Sequence, residues 1–215
     1  MTARGRLITF EGGEGAGKST QVARLAASLR AAGLEVVATR EPGGTPGGEA
    51  IRGLLVEGPP GRWSPLTETL LLLAARHDHV RRVIEPAMAA GRWVLCDRFT
   101  DSTRVYQGIA GAVGLGLVDE LHRRILGDLQ PDLTLVLDLP GPVGLARRRA
   151  SSGENRFERM PEDYHERVRA GFLAIARDAP GRCVVIDATH SEETVGRRIR
   201  AVVDARFGLD LAGAV

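Results

Sequence analysis

The sequence predicts an α/β protein in which helices cover both faces of a parallel sheet, a three-layer α/β/α arrangement. Two observations predict this fold class. Strand-like and helix-like segments alternate along all 215 residues, which is typical of parallel strands joined by helical crossovers. Several strand-like runs are continuously apolar, as expected for strands that are buried on both faces. No linker or internal repeat interrupts the order, so we expect one domain spanning residues 1–215.

The individual elements follow from local patterns. Runs of β-prone apolar residues predict strands at 6–10, 35–39, 93–97, 133–139 and 182–186. Apolar residues at spacings of three and four predict helices near 18–32, 47–57, 65–90, 116–129, 141–150, 161–178 and 191–206. Ser64-Pro65 is a start signal for the long third helix, because a capping residue precedes a proline of the first turn. Pro86 is expected to kink that helix or to end it early.

A glycine-rich segment between the first strand and the first helix carries a phosphate-binding loop pattern: Gly12, Gly13, Glu14, Gly15, Ala16, Gly17, Lys18 and Ser19, followed by Thr20. Lys18 is the only lysine, whereas 28 arginines supply the other basic side chains. Glycines let backbone N–H groups turn toward phosphate oxygens, Lys18 can reach the β- and γ-phosphates, and Ser19 can offer its hydroxyl to Mg²⁺. The dipole of the following helix favours the same anion. The pattern predicts a nucleoside triphosphate site.

Composition argues against several other classes of function. A net charge of +2 and an aromatic content of 4% provide neither a basic face nor stacking platforms for nucleic acid. The N-terminus lacks an apolar signal segment, and the most apolar window is far shorter than the roughly 20 residues of a membrane-spanning helix. Cys96 and Cys183 fit no metal-binding spacing and are expected to be buried thiols. We therefore expect a cytoplasmic protein with small-molecule partners, no nucleic acid and no membrane.

Three further segments are candidates for ligand binding. Residues 40–48, after the second strand, form either a plain turn or part of a site, since ligands of such sheets bind beyond the carboxyl ends of strands. A polar, arginine-rich stretch at about 148–160 is either a solvated helix end or a mobile lid over a phosphoryl group. The third strand ends at Asp97, placed to hold Mg²⁺ through water, and Arg98 can bind a second phosphate bidentately.

Taken together, the motifs resemble those of the bacterial thymidylate kinases. The resemblance is carried by residues 11–20, 40–45, 74–76, 97–99, 102–103, 106–107, 131–134 and 186–189. It implies a P-loop kinase fold with a five-stranded parallel sheet in the order 2-3-1-4-5 and a lid at about 148–160. It also implies a homodimer that uses Mg²⁺ and transfers the γ-phosphoryl group of ATP to dTMP, giving dTDP and ADP.

The same resemblance implies roles for individual residues. Arg147, Asp187 and Thr189 would flank the adenine of ATP, which the loop residues 12–20 hold by its phosphates. Ser19 and Asp97 would serve the metal. Residues assigned to the acceptor nucleotide are Glu14, Glu41, Pro42, Leu72, Arg76, Arg98, Ser102, Thr103, Tyr106 and Gln107. Among them, Glu14 would approach the 3′-hydroxyl, Arg98 the acceptor phosphate, Arg76 the pyrimidine edge and Tyr106 the 2′ position.

The resemblance places catalysis on Lys18, Asp97 and Arg98, aided by lid arginines. Some members carry an arginine in the loop at the position of Gly15, so the cationic clamp is expected in the lid at Arg149 and Arg156 instead. Leu72 stands where many members have a phenylalanine that stacks on thymine, which leaves a kinase for another nucleoside monophosphate as an alternative. A non-enzymatic ATP-dependent switch is a second alternative, although no lysine after Lys18 exists for a guanine-reading motif.

Overall fold

The computed structural model of the protein describes residues 4–59, 61–149 and 156–211, without the side chain of Arg149. Five parallel strands form one sheet in the order β2-β3-β1-β4-β5, which confirms the expected strand order. The strands are β1 (Leu7–Glu11), β2 (Val36–Arg40), β3 (Trp93–Asp97), β4 (Leu133–Asp138) and β5 (Cys183–Asp187). Each lies within one residue of its predicted bounds.

Helices connect the strands and cover the sheet. They are α1 (Lys18–Ala31), α2 (Pro46–Val56), α3 (Pro65–His79), α4 (Glu85–Ala89), α5 (Thr100–Thr103), α6 (Leu115–Leu126), α7 (Gly141–Arg149), α8 (Glu162–Asp178) and α9 (Glu192–Phe207). Side-chain caps begin three of them: Thr45, Ser64 and Ser191 each accept a hydrogen bond from a backbone N–H of the first turn. This is why α2, α3 and α9 begin where they do.

The long third helix does not end early at Pro86. The π-helical segment Val80–Ile84 joins α3 to α4, and the N–H of Glu85 donates to the oxygen of Val80, five residues back. Pro86 therefore lies in the first turn of α4, where a missing N–H is tolerated. A second π-helical segment, Arg104–Ala110, continues α5; the sequence patterns predicted no helix there.

Alternate residues of the central strands pack into cores on opposite faces of the sheet. Ile8 and Phe10 pack with buried side chains of α1 and α9, whereas Leu7 packs with Val80 and Ile84 of the π-helical segment on the other face. Val136 of β4 packs with α8 on that second side as well. Both faces are covered, which confirms the three-layer architecture.

The two cysteines, Cys96 and Cys183, are buried free thiols, in agreement with their expected role. No helix in the described part of the chain is long and apolar enough to cross a membrane.

Candidate active site

A cavity of about 790 Å³ opens beyond the carboxyl ends of the strands. The strand order places the loop that follows β1 in the middle of this edge, with β3 and β2 on one side and β4 and β5 on the other. Arg76, Asp97 and Gln107 line the side of β3, whereas Arg147 and Ala188 line the side of β5. The volume lies in the range of roughly 300–1,000 Å³ typical of small-molecule sites. One cavity thus has two ends that meet at the phosphate-binding loop.

The loop itself holds Lys18 close to its own backbone. The Nζ atom of Lys18 donates to the carbonyl oxygens of Gly12, at 3.1 Å, and Gly13, at 2.7 Å. Burial and the nearby Arg98 charge lower the pKa of Lys18 to about 8. Gly15 has a φ of 68°, and a Cβ there would lie 1.9 Å from the carbonyl oxygen of Gly144. A glycine is therefore required where α7 approaches the loop.

Arg98 lies between the loop and the segment after β3. It adopts a φ of 69°, a conformation that non-glycine residues rarely take. Its NH2 atom donates to Glu14 Oε1 at 2.7 Å and to the hydroxyl of Tyr106 at 3.1 Å, and its NH1 atom donates to the Ser102 hydroxyl. Burial alone would raise the pKa of Glu14, but the charges of Arg98 and Lys18 outweigh it and lower that pKa to about 2. A charged carboxylate and a guanidinium therefore face the middle of the cavity together.

The buried carboxyl group of Glu11 ties the end of β1 to α5. It accepts hydrogen bonds from the backbone N–H groups of Phe99 and Ser102 and from the Ser102 hydroxyl. Burial and the neighbouring Asp101 raise its pKa to about 7. These contacts hold the Arg98 segment against the phosphate-binding loop.

Ser19 and Asp97 bring two oxygen atoms together at the start of α1. The Ser19 hydroxyl donates to Asp97 Oδ2 at 2.5 Å, and both residues line the cavity. Hydroxyl and carboxylate oxygens are the ligand types that Mg²⁺ prefers.

At the far end of the cavity on the side of β3, the guanidinium group of Arg76 donates nearly all of its hydrogen bonds to other protein groups. It is 2% exposed; its Nε donates to Glu41 Oε2, its NH1 to Thr103 Oγ1 and His122 Nε2, and its NH2 to the oxygen of Phe99. Since a guanidinium carries five N–H bonds, these contacts leave one N–H of NH2 for a ligand. Arg76 lines the cavity, so its guanidinium offers a single, fixed donor there.

Gln107 offers the complementary group at the same end. Its side chain is 2% exposed and lines the cavity, and its Nε2 atom donates to Glu68 Oε2 at 3.2 Å. The Oε1 atom is buried without a hydrogen-bond partner among the described residues. Because a buried acceptor without a partner costs about 1–3 kcal/mol, this oxygen is a candidate for satisfaction by a ligand N–H.

Comparison with known proteins identifies the family. A sequence profile described as thymidylate kinase matches residues 10–199. The chain belongs to the thymidylate kinase family. The thymidylate kinase of Caulobacter vibrioides is 57% identical over 96% of this chain and 99% of its own length. That of Bradyrhizobium diazoefficiens is 52% identical over 96% and 92%, respectively. The crystal structure of thymidylate kinase from Ehrlichia chaffeensis superposes with a TM-score of 0.77 at 32% identity, covering 93% of this chain and 99% of that one.

The cavity is lined by most of the residues that were predicted from the resemblance to thymidylate kinases. The segment 40–48, which the sequence left open as turn or site, contributes Arg40, Glu41 and Pro42 to the wall. Asp187 and Thr189 are not among the lining residues; instead, the Asp187 carboxylate accepts hydrogen bonds from the backbone N–H and hydroxyl of Thr189. Their neighbours Ala188 and His190 line the cavity instead. The turn therefore borders the site, but with different residues from those predicted.

Of the two arginines predicted in the lid, Arg149 and Arg156, the structure describes the side chain of Arg156 alone. The side chain of Arg149 lies outside the described residues, as does the segment 150–155. Arg156 does not reach the phosphate-binding loop: it is 3% exposed, and it donates to the Leu55 oxygen and to Glu68. The structure therefore places Arg156 beside the acceptor end of the cavity. Contacts across 88 and 101 residues position it there, and no local pattern signals such pairings.

Some lining residues were assigned no role from the sequence. They include Arg52 of α2, Arg148 of α7, Phe157 near the end of the predicted lid, and His190 to Glu192 at the start of α9. Phe157 packs edge-on against Tyr106, with ring centroids 5.8 Å apart. Arg148 lies between the predicted Arg147 and Arg149 and lines the cavity together with Arg147, so the sequence indicated the arginine run but assigned no role to Arg148.

Proposed function

We propose that this protein transfers the γ-phosphoryl group of ATP to dTMP, giving dTDP and ADP. The observation that carries the proposal is the single cavity whose two ends meet at the phosphate-binding loop. A donor nucleotide on the side of β5 and an acceptor nucleotide on the side of β3 would bring their phosphates together above Lys18. The full-length similarity to thymidylate kinases supports this acceptor over other nucleoside monophosphates.

The polar groups at the acceptor end support a thymine base. The free N–H of Arg76 can donate to the O4 atom of thymine, and Gln107 Oε1 can accept from the N3–H group. Cytosine presents the opposite pattern on the same edge, an amino donor and a ring-nitrogen acceptor. It would leave both protein groups unpaired, which is the situation in which sites discriminate most strongly. Leu72 lines this end and provides an apolar contact for the ring face.

The groups near the loop support phosphoryl transfer by positioning and charge neutralisation. Lys18 would bind the β- and γ-phosphates, and Arg98 would bind the acceptor phosphate. The ionised Glu14 would accept a hydrogen bond from the 3′-hydroxyl of the acceptor sugar. Ser19 and Asp97 fit a Mg²⁺ ion, since both are hard oxygen ligands held side by side; when bound, the ion neutralises charge on the phosphates.

The lid would complete the site. We propose that the lid at about 148–160 belongs to the same single domain and that Arg149 approaches the transferring group. Arg149 keeps its predicted catalytic role, whereas the position of Arg156 favours a role at the acceptor end. Arg147, which donates to the Ala188 oxygen at 3.1 Å, would border the adenine.

A coupled assay of ADP release tests the activity. The assay contains ATP, Mg²⁺ and, one at a time, dTMP, dUMP, dCMP, CMP, UMP, AMP or GMP. Release with dTMP well above the others is the expected result. A different preferred acceptor would indicate another nucleoside monophosphate kinase, and no release with any acceptor would favour the ATP-dependent switch.

We also propose that the protein is a homodimer. Leu66 and Leu70, one turn apart on α3, are 45% and 52% exposed, and Leu117 on α6 is 42% exposed. Since α3 and α6 contact each other, these leucines lie on neighbouring helices and suit burial against a second copy. The cytoplasmic location stays a prediction from the sequence.

A further inference from the structure

Glu68 lies on the face of α3 that borders the acceptor end of the cavity. Glu68, Leu72 and Arg76 follow one another at spacings of four, which places them on one side of the helix. Leu72 and Arg76 line the cavity, whereas the Glu68 side chain is 12% exposed and lies behind Gln107. Glu68 thus contacts a base-reading side chain from the protein side.

The contact with Glu68 determines which atom Gln107 presents to the cavity. The nitrogen and oxygen of a glutamine amide have nearly the same shape, so the side chain can present either one unless a partner distinguishes them. A carboxylate only accepts hydrogen bonds. Glu68 Oε2 therefore binds the Nε2 atom of Gln107, at 3.2 Å, and the Oε1 atom is left for the cavity.

Arg156 holds the other oxygen of the same carboxylate. Its NH1 atom lies 2.5 Å from Glu68 Oε1, its Nε donates to the Leu55 oxygen at 3.0 Å, and its own backbone N–H donates to the Val56 oxygen. The guanidinium is thus fixed at the end of α2, and it fixes Glu68 in turn. This links Arg156 to the orientation of the Gln107 amide.

We propose that Glu68 is a positioning residue that sets the specificity of the acceptor site. It turns the Gln107 amide so that an acceptor atom faces the base, which matches the N3–H of thymine and opposes the N3 acceptor of cytosine. The inference rests on the proposed function, because it assumes that Gln107 contacts the base of dTMP.

The variant Glu68→Gln tests the inference. Its new amide can both donate and accept, so Gln107 is free to present either Nε2 or Oε1 to the cavity. We expect kcat/KM for dTMP to fall at least about tenfold, with less or no loss for dCMP, so that the dTMP-to-dCMP ratio narrows by about tenfold; one lost hydrogen-bond match is of this size. The KM for ATP should change less than about twofold, since the donor end is untouched. The matched control Glu120→Gln removes an exposed carboxylate that pairs with Arg124 and should leave the ratio unchanged.

A second variant shows whether Glu68 acts through Gln107. In a Gln107→Leu background, the further change Glu68→Gln should not alter the ratio of kcat/KM for dTMP to kcat/KM for dCMP beyond the effect of Gln107→Leu alone. If Glu68→Gln is not folded at the assay temperature because Arg156 loses its partner, the double variant Glu68→Gln/Arg156→Gln removes both charges, and the same ratio is measured.

The outcomes separate the two proposals. A wild-type protein that does not phosphorylate dTMP overturns the proposed function. A wild-type protein that selects dTMP, together with a folded Glu68 variant of unchanged selectivity, overturns the role of Glu68 alone. An additive loss in the Gln107→Leu background likewise overturns it.

Discussion

At the scale of single residues, the buried ammonium group of Lys18 donates hydrogen bonds to carbonyl oxygens of the phosphate-binding loop. Its two hydrogen bonds go to Gly12 and Gly13, so the charge is already aimed at the place where the phosphates would lie. Lys18→Ala removes a ligand contact from a loop and not a packed core group. We expect kcat/KM to fall by at least about 100-fold, as for the loss of other charged or oxyanion-stabilising groups. Thermal unfolding followed by circular dichroism should be nearly unchanged; normal turnover by the variant would contradict the role.

The lowered pKa of His122 should make the stability of the folded protein depend on pH. Burial, together with the Arg76 and Arg104 charges, lowers the pKa of His122 to about 3, and its Nε2 accepts from Arg76 NH1 at 2.7 Å. The unfolded chain takes up this proton near pH 6.5, whereas the folded protein does not until far lower pH. The stabilising contribution is therefore present above pH 6.5 and is lost as the pH falls toward about 3.

Between pH 7 and pH 5, this one histidine should cost the folded state about 2 kcal/mol. The glutamine of His122→Gln can still accept a hydrogen bond from Arg76 but does not titrate. Between pH 7 and pH 5, the free energy of unfolding of this variant should therefore fall by about 2 kcal/mol less than that of the wild-type protein. Urea unfolding of both proteins at the two pH values measures the difference. Equal losses in the two proteins would show that His122 is protonated in the folded state.

The site residues differ in how far the sequence could predict them. Lys18, Asp97 and Arg98 lie in motifs that carry their own spacing, and all three line the cavity. The environment of Arg76 arises from partners at separations of 23 to 46 residues. Local patterns cannot encode such separations, so the sequence indicated that Arg76 matters but not that a single N–H remains for a ligand.

At the scale of secondary-structure elements, α7 lies against the phosphate-binding loop without room for a side chain. A Cβ on Gly144 would lie 2.2 Å from the carbonyl oxygen of Glu14. Gly144→Ala should push α7 and the loop apart and destabilise the fold by about 1–3 kcal/mol. Because Arg147 lies one turn further along α7, we also expect the KM for ATP to rise several-fold. Steady-state kinetics and thermal unfolding measure the two effects.

Gly53 of α2 provides the matched helical glycine. A Cβ there would meet only the Glu57 carboxylate, at 3.7 Å, so Gly53→Ala should leave the KM for ATP unchanged and stabilise the protein by up to about 1 kcal/mol. If both alanine variants behave alike, the close approach of α7 to the loop is not important for ATP binding.

Helix α5 and the π-helical segment that continues it show why one helix could not be predicted. Thr100, Thr103 and Val105 are β-branched and favour strands over helices, and the preceding Arg98 adopts a positive φ. The helix forms because the distant Glu11 accepts the first N–H groups of the segment, which a local reading cannot anticipate. The three central strands, by contrast, are buried and mostly apolar, and all five strands were predicted within one residue.

At the scale of the whole molecule, the strand order determines which parts of the chain form the acceptor end of the cavity and which form the donor end. With β1 in the centre, the loops directly after β2 and β3 lie on one side of the phosphate-binding loop, and those directly after β4 and β5 lie on the other. The acceptor and donor ends are thus built mainly from opposite halves of the sheet, with Arg156, further along the chain after β4, added to the acceptor end. Each half can vary its base-reading residues without moving the loop where the phosphates meet.

The exposed leucines of α3 connect the site to the oligomeric state. Leu66 and Leu70 lie on the same helix as Leu72 and Arg76, so burial of their face against a second copy would also fix the helix that carries the acceptor site. Sedimentation equilibrium should give a mass of twice the 23.0 kDa chain for the wild-type protein. Leu70→Glu would place a charge in the apolar contact and should shift the equilibrium toward the monomer by at least about 100-fold, given the cost of burying an unpaired carboxylate.

The control Val185→Glu makes the same chemical change on β5, where the side chain is 44% exposed, and should leave the mass unchanged. If α3 depends on the interface for its position, the Leu70 variant should also show a raised KM for dTMP at protein concentrations where it is monomeric, with an unaltered KM for ATP. A wild-type protein that sediments as a single chain would contradict the dimer. A monomeric variant with normal KM for dTMP would show that α3 is held by its own packing, because Thr69, Leu73 and Ala75 bury its inner face within one chain.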